Sequence, residues 1–479
     1  MVVGEIAEPV DLLVVGGGPG GYVAALRAAE LGREVVVVDR GGTDGGLGGS
    51  CLHVACIPAK ALIELANARH GIDAFAPAGL RASEVEIDLS AFQEWRRSIV
   101  DRLERGIRGL FDRAGVRLIE GEARFANRDR AAVRLPDGQA HFLEFRQAIV
   151  ATGSRPGAHP QLPVDGERVL TSTEALALES VPTSVAVVGA DYIGLELATA
   201  FAKLGSRVGL VEEGDRVLPS LDASLAKPVA RRLRELGVEL ELGGRVVAVD
   251  EHELVIASGD GERRLAAERV IVAVARTPNT DELGLEAVEV AVGEDGLIAV
   301  DERRLATSRV AAIGDATAGP ALAHKASAEG RVAAEALSGM PAAFDPMAIP
   351  VIAFSDPQVA SAGLSEAEAR EAGLDVAVAA ASLGGNGRAA TLGAGGAVRT
   401  VVDRGSDRII GVHAVGPHAT EVIAEGMLAI ETVASPDDVL GTIHAHPTLA
   451  EGLPAALAQL AARPSAEGER VEEVAGGRA

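Results

Sequence analysis

The sequence predicts an α/β protein: two parallel-sheet units of the strand–glycine turn–helix–strand kind, followed by a smaller α+β domain. Three observations carry this. Gly16-x-Gly18-x-x-Gly21 follows an apolar run and opens a helical stretch. The same grammar returns from Gly189 to Gly194. The block from Ala348 to Leu460 has neither fingerprint but carries both strand and helix patterns. At 479 residues the chain has room for about three domains.

Each element has a local reason. Val10–Val15 is a short apolar run suited to a strand buried on both faces. The glycine turn leads into a helix from Tyr22 to Leu31, then a second buried strand, Val35–Val38, closed by Asp39. In such a unit one glycine makes a tight turn, one leaves room for a pyrophosphate, and one lets helix and strand touch. The helix N-terminus adds unpaired N–H groups and a positive dipole end, and Asp39 would accept hydrogen bonds from a ribose. Nucleotide binding at Gly16, Gly18, Gly21 and Asp39 is therefore expected. Ser90–Ala114 is a charged helix with Ser90 as its cap. The repeat consists of Val185–Val188, the Gly189–Gly194 turn, a helix from Leu195 to Leu204, and Arg207–Val211 closed by Glu212. Two such units imply two Rossmann-like dinucleotide-binding domains. Farther on, Ile409–Val415 reads as a strand and Ala419–Val433 as a helix.

Composition narrows the function. Acidic residues outnumber basic ones, 69 to 45, for a net charge of −24. Such a field repels phosphate backbones, so nucleic acid is not an expected partner. The first nine residues lack the basic start of a signal peptide, and charges or glycines interrupt every long apolar run. No membrane segment and a cytoplasmic location are the expectations. From Arg463 the composition reads as a flexible tail.

There are only 2 cysteines, and both lie in Gly48-Gly49-Ser50-Cys51-Leu52-His53-Val54-Ala55-Cys56-Ile57-Pro58-Ala59-Lys60. Structural zinc needs four ligands and only His53 is near, so no metal is expected. Two unrelated thiols or a redox pair remain. Positions five apart on a regular helix are separated by about 7.5 Å along the axis, beyond the usual disulfide range. Pairing thus requires the segment to bend between Cys51 and Cys56. Gly48-Gly49 and Pro58, which lacks the N–H that would bond back to Val54, permit such a bend.

This stretch resembles the redox-active site of the pyridine nucleotide–disulfide oxidoreductases, and the order of motifs follows that family to about Leu460. The Cys-Ile-Pro-Ala-Lys ending is closest to the dihydrolipoyl dehydrogenase branch. The resemblance implies a Cys51–Cys56 disulfide, with Cys51 exchanging with substrate and Cys56 facing FAD. It implies that Lys60 sits near the flavin's reactive edge and pairs with Glu196, and that Ser50 joins the FAD site. Ala151-Thr152-Gly153-Ser154-Arg155-Pro156 resembles the family's crossover beside the flavin nucleotide. Ala123 would approach the adenine through its backbone. Ala311-Ala312-Ile313-Gly314-Asp315 resembles the second FAD motif, in which Asp315 bonds the ribityl chain. Asp315 could equally cap the helix that begins near Ala323, whose N-terminus would face the reduced flavin.

Gly189-Ala190-Asp191-Tyr192-Ile193-Gly194 departs from the pattern, with Asp191 in place of the second glycine. Its bulk and charge either swing out or weaken binding. Tyr192 matches the family's lid over the flavin. Glu212 suits the free 2′-hydroxyl of NAD and no arginine pair follows it. Ala275-Arg276-Thr277-Pro278-Asn279 resembles the next nucleotide-side motif, with Ala275 for the usual glycine. His444-Ala445-His446-Pro447-Thr448-Leu449-Ala450-Glu451 resembles the active-site base segment: His446 as base, oriented by Glu451. His444 reads as a surface histidine.

The expected fold is two Rossmann-like domains plus a C-terminal α+β dimerisation domain. The expected divisions are 1–158 for FAD with the redox pair, 159–280 for NAD, 281–347 for a returning FAD part, 348–462 for dimerisation and 463–479 for the tail. The resemblance implies oxidation of dihydrolipoamide on a lipoyl carrier by a homodimer using FAD and NAD. The alternatives are a related NAD(P)H-dependent disulfide reductase, or a lipoyl-protein-binding flavoprotein whose NAD use Asp191 impairs.

Overall fold

Apolar strand segments such as Leu12–Val15 and Val35–Val38 are stable only where both faces are covered, and they form the centre of the larger of two compact units. The computed structural model describes residues 7–41, 45–250, 252–259 and 261–461. The flexible-tail expectation for 463–479 lies outside the described residues, as do residues 1–6 of the N-terminal reading. The larger unit comprises Met1–Gly189, Ala200–Val211 and Gly244–Asp345. The other comprises Ala190–Thr199, Glu212–Gly243 and Pro346–Ala479.

In the larger unit, parallel strands run in the order Arg117–Glu120, Val35–Asp39, Glu8–Val15, Ala140–Val150. The last of these is long enough to take two partners on its far side. Its first half pairs antiparallel with Arg130–Arg134, which in turn pairs with Glu122–Asn127. Its end pairs parallel with Val310–Ala312. Leu12, Leu13, Val14 and Val37 are 0% exposed, as a doubly covered sheet requires. The helix Pro19–Glu30 begins at Pro19 rather than Tyr22, because proline at the first helical position loses no bond the helix would make. It packs on the helix Ala323–Leu337 through small residues: a Cβ on Gly330 would lie 2.4 Å from the Gly20 carbonyl oxygen. A second parallel sheet runs Arg207–Glu212, Ser184–Val188, Arg269–Val272, Val169–Thr171. It shares a core with the antiparallel strands Arg245–Val249, Glu253–Ser258 and Gly261–Ala266. The helix Tyr192–Leu204 again starts earlier than its apolar period suggests.

The other unit is built on an antiparallel sheet, in the order Val351–Ala353, Gln358–Gly363, Arg408–Gly416, Ala397–Asp403, Val376–Ser382. Ala419–Glu431 packs on its central strands and Gly452–Ala461 on its last two. The first of these helices stops two residues before the expected Val433, which takes φ 59° and cannot continue it.

One further expectation is corrected, and one stretch bears on another. The helix Leu89–Ala114 is capped by Asp88, whose Oδ1 accepts from the Ala91 N–H at 3.0 Å; Ser90 lies inside the first turn. The residues Gly49–Ala74 are, by length and a mean hydropathy of 1.3, apolar enough to cross a membrane. That stretch is broken at Val54–Ala55 and buries Pro58, Ala59, Leu62, Ile63 and Ala66 within the protein.

Candidate active site

The first glycine turn shows three separate constraints. Gly16 has φ +103°, and a Cβ there would lie 2.3 Å from the Ala151 oxygen. A Cβ on Gly21 would lie 1.9 Å from the Gly16 oxygen. At Gly18, by contrast, the nearest atom is the Gly49 Cα at 3.8 Å, an ordinary van der Waals contact, so a Cβ would fit within the protein itself. Asp39 Oδ2 accepts from the Gly17 N–H at 2.7 Å and Oδ1 from the Gly41 N–H at 3.0 Å. A carboxylate has about four acceptor sites, so two stay open for a ribose. The Gly121 N–H donates to the Asp39 carbonyl at 2.8 Å, which brings the Gly121–Ala123 segment beside it. This open cradle, flanked by an anchored carboxylate and the first turn of a helix, fits the diphosphate and ribose of FAD.

The cysteine segment joins the same turn. The Gly48 N–H donates to the Gly17 carbonyl at 2.8 Å, and a Cβ on Gly49 would lie 2.7 Å from the Gly18 Cα. A short helix, Gly49–His53, carries Ser50 and Cys51. The chain then leaves helical geometry at Val54 (φ −135°, ψ 0°) and Ala55 (φ −131°, ψ −93°), and a new helix starts at Cys56. This is the bend that pairing requires. Pro58 stands in the new helix's first turn, and the Ala59 N–H closes that turn onto Ala55 O at 2.9 Å. The two cysteines are free thiols, half-buried, and hydrogen-bonded to each other. That bond to Cys56 and then burial push the Cys51 thiol well up, against a weaker pull from the Lys60 cation. Both influences favour the protonated form of Cys51. Lys60 is thus close enough to act on the pair.

The crossover is locked from several sides. The Thr152 hydroxyl donates to Asn279 O at 2.7 Å, and Asn279 Nδ2 donates back to Thr152 O at 3.0 Å. The Asn279 N–H donates to Gly153 O at 2.9 Å, and Ala275 O accepts from the Gly157 N–H at 2.8 Å. Ser154 is buried, and its hydroxyl donates to Asp315 Oδ2 at 2.5 Å and accepts from Arg276 Nε at 2.7 Å. Asp315 thus uses Oδ2 on Ser154 and does not cap the helix Ala323–Leu337, which starts from Leu322 without a side-chain cap. A buried charge cluster, unforeseen from the sequence, fixes the same turn. Glu329, 0% exposed, accepts from the Gly314 N–H at 2.6 Å and pairs with Arg304 at 2.9 Å and Lys325 at 3.2 Å. Lys325 Nζ also donates to Gly314 O at 3.0 Å. The only sequence signal was a Lys–Glu spacing of four on a helix, which usually marks an exposed pair.

The second turn repeats the first with one difference. Gly189 has φ +102°, and a Cβ there would lie 2.5 Å from Ala273 O. Glu212 Oε2 accepts from the Ala190 N–H and Oε1 from the Gly214 N–H, both at 2.8 Å. These contacts mirror those of Asp39 with Gly17 and Gly41. Tyr192 opens the following helix and Gly194 is buried within its first turn. Asp191 Oδ1 accepts from the Ser220 hydroxyl at 2.9 Å. The turn keeps its backbone and its acid, which fits a nucleotide with a free ribose 2′-hydroxyl.

In the second unit, Glu196 is buried and its Oε1 accepts from the Phe354 N–H at 3.0 Å. His446 Nδ1 lies 2.8 Å from Glu451 Oε1, while the ring is exposed. The Thr448 N–H and then the His446 ring hold the Glu451 carboxyl below the usual range. An ionised carboxylate only accepts, so Nδ1 is the donor in this contact and Nε2 is the ring nitrogen not bonded to Glu451. His444 is no free surface histidine: only 11% of its side chain is exposed, and Nε2 contacts Glu425 Oε1 at 2.6 Å. Glu425 lies a helix away in sequence, which is why the pairing was not legible.

The chain matches the family described as pyridine nucleotide-disulphide oxidoreductase over residues 10–330, and that family's dimerisation domain over residues 349–457. It is 44% identical to dihydrolipoyl dehydrogenase 2 of Haloarcula marismortui, covering 95% of this chain and 97% of that one. It is 43% identical to dihydrolipoyl dehydrogenase of Geobacillus stearothermophilus, covering 94% and 96%. Among solved structures, LpdA of Mycobacterium tuberculosis superimposes with a TM-score of 0.86 at 27% identity, covering 94% of this chain and 100% of that one. The glycine cradle, the cysteine pair and these similarities agree: the chain belongs to the pyridine nucleotide-disulphide oxidoreductases.

Proposed function

We propose that the protein is a dihydrolipoyl dehydrogenase, oxidising dihydrolipoamide to lipoamide and reducing NAD⁺, with FAD held by the first glycine turn. The observation that carries this reading is the cysteine pair at a helix break, joined through Gly48 and Gly49 to that turn. The substrate is carried on a lipoyl domain, and the working form is a cytoplasmic homodimer. The N-terminal part through residue 158 and the segment 281–347 hold FAD, and 159–280 holds NAD.

In this reading Gly16, Gly18, Gly21, Asp39, Ser50, Ala123, Thr152, Gly153, Ser154, Asp315 and Ala323 bind FAD. Gly189, Tyr192, Gly194, Glu212 and Ala275 serve NAD. His446 of one subunit takes the proton from a substrate thiol on Nε2, while Glu451 holds the ring. The substrate thiolate attacks Cys51 in the Cys51–Cys56 disulfide; that bond breaks and Cys56 leaves as thiolate. The second substrate sulfur displaces Cys51, giving lipoamide and the reduced pair. The reduced pair then keeps one proton, and the contact with Cys56 and burial favour the protonated form of Cys51. By the family resemblance, Lys60 would supply a cation and Glu196 an acid to the flavin chemistry. FAD, when bound, accepts the electron pair from the dithiol and passes hydride to NAD⁺.

Stopped-flow mixing of the oxidised holoenzyme with dihydrolipoamide, and separately with NADH, tests this. Rapid flavin reduction by both is expected. Reduction by dihydrolipoamide without any by NADH would refute the NAD assignment, and the reverse would refute the substrate.

A further inference from the structure

We propose that Ser220 is a specificity-determining residue that holds the Asp191 carboxylate away from the pyrophosphate of NAD. The proposal rests on the NAD reading above. In the first turn the position of the second glycine is open, with the Gly49 Cα at 3.8 Å the nearest atom to a Cβ there. At the equivalent place in the second turn stands an acid, which would meet a dianionic linker. Its side chain is instead turned to Ser220, whose hydroxyl donates to Oδ1 at 2.9 Å.

The loop that presents Ser220 is fixed from several sides, although Ser220 itself is exposed. The Leu218 N–H donates to Ala190 O at 2.9 Å, tying the loop to the glycine turn one residue before Asp191. Leu218 is buried and takes φ 51°, a left-handed conformation that a branched side chain adopts only under constraint. Arg216 Nη2 donates to Pro219 O at 3.0 Å and to Leu221 O at 3.2 Å, closing the loop on itself. The Leu221 N–H donates to Leu218 O at 3.0 Å. A serine held this firmly can set the direction of an acid that would otherwise be free to rotate. Glu212 uses both oxygens on the Ala190 and Gly214 N–H groups, so the ribose-side acid and the displaced acid occupy separate anchors on one turn.

Calorimetric titration of the holoenzyme with NAD⁺ tests this, alongside steady-state kinetics varying NAD⁺. Freed by Ser220→Ala, the carboxylate repels the linker with about the strength of two unit charges in contact in water, roughly five- to tenfold in Kd. The loss should fall on KM for NAD⁺ more than on kcat, shrink with added salt, and be absent in Ser220→Thr, which keeps the hydroxyl. In an Asp191→Gly background the Ser220→Ala change should have no effect on Kd. An unchanged Kd in Ser220→Ala, or the same loss with Asp191 removed, would overturn the proposal while leaving the NAD reading intact. If the unmodified holoenzyme bound no NAD⁺, the NAD reading itself would fall.

Discussion

Glu329→Gln removes one charge from a site closed to solvent. Glu329 is 0% exposed and stands between Arg304 at 2.9 Å and Lys325 at 3.2 Å. The amide would leave two buried cations facing one another without an anion. Breaking a buried ion pair from one side typically costs about 3–5 kcal/mol, and the upper half of that range applies where two cations lose the same partner. The hydrogen bond from the Gly314 N–H at 2.6 Å can survive, since the amide oxygen still accepts. The loss is therefore electrostatic, and removing one cation should relieve it. Lys325→Met added to Glu329→Gln should recover about 1–2 kcal/mol, although Lys325→Met alone destabilises. Urea unfolding of the four holoproteins at one FAD concentration measures this cycle. A Glu329→Gln variant within about 1 kcal/mol of the parent, or strictly additive double-variant losses, would refute the reasoning.

Three more outcomes follow from the geometry. Gly18→Ala should fold normally yet bind FAD weakly, because its Cβ meets nothing in the protein closer than an ordinary contact at 3.8 Å; Gly21→Ala should not form the turn at all, with a contact of 1.9 Å. Flavin content of the purified variants and thermal unfolding of their apoproteins separate these cases. His446→Gln should lower dihydrolipoamide turnover by roughly 10²–10⁴-fold, the usual contribution of a general base, and Glu451→Gln by less. The pH profile of kcat/KM should lose its acidic limb only in the former. In the second unit His413 is 1% exposed, with Ser361 Oγ at 2.8 Å from Nδ1 and Leu364 O at 3.2 Å from Nε2. Burial depresses its pKa, with Asp222 and Glu368 opposing and Arg399 adding to the shift. The unfolded chain then binds the proton that the folded one refuses. Stability should be full above the ordinary histidine range, near 6.5, and fall as pH drops below it. Urea midpoints at two pH values, with His413→Asn as control, check the slope; an equal slope in both proteins would contradict it.

The two glycine turns were legible because each glycine answers a local demand that sequence spacing records. Gly16 and Gly189 take positive φ against a neighbouring strand end, and Asp39 and Glu212 each end a strand facing the turn. The break between Cys51 and Cys56 was legible for the same reason: a pair five apart cannot close on an intact helix. What escaped depends on chain segments far apart in sequence. Lys325, Glu329 and Arg304 look like ordinary surface charges until the Gly314 turn folds over them. Ser220 gains meaning only because Leu218 brings its loop back to Ala190. His444 read as exposed because its partner, Glu425, sits on a separate helix. Caps erred by a residue or two where two polar residues, Asp88 and Ser90, compete for one helix start.

The central claim is that one cysteine pair carries the electrons from substrate. The chain has 2 cysteines in all, Cys51 and Cys56, so a thiol count reads that pair without interference. Oxidised holoenzyme, denatured and titrated before and after one equivalent of dihydrolipoamide without NAD⁺, is the direct measurement, with Cys51→Ser in parallel. The account predicts no free thiol before substrate, newly titratable thiols afterwards, and no lipoamide formation by Cys51→Ser. Free thiols in the oxidised enzyme, or lipoamide turnover that survives Cys51→Ser, would contradict it.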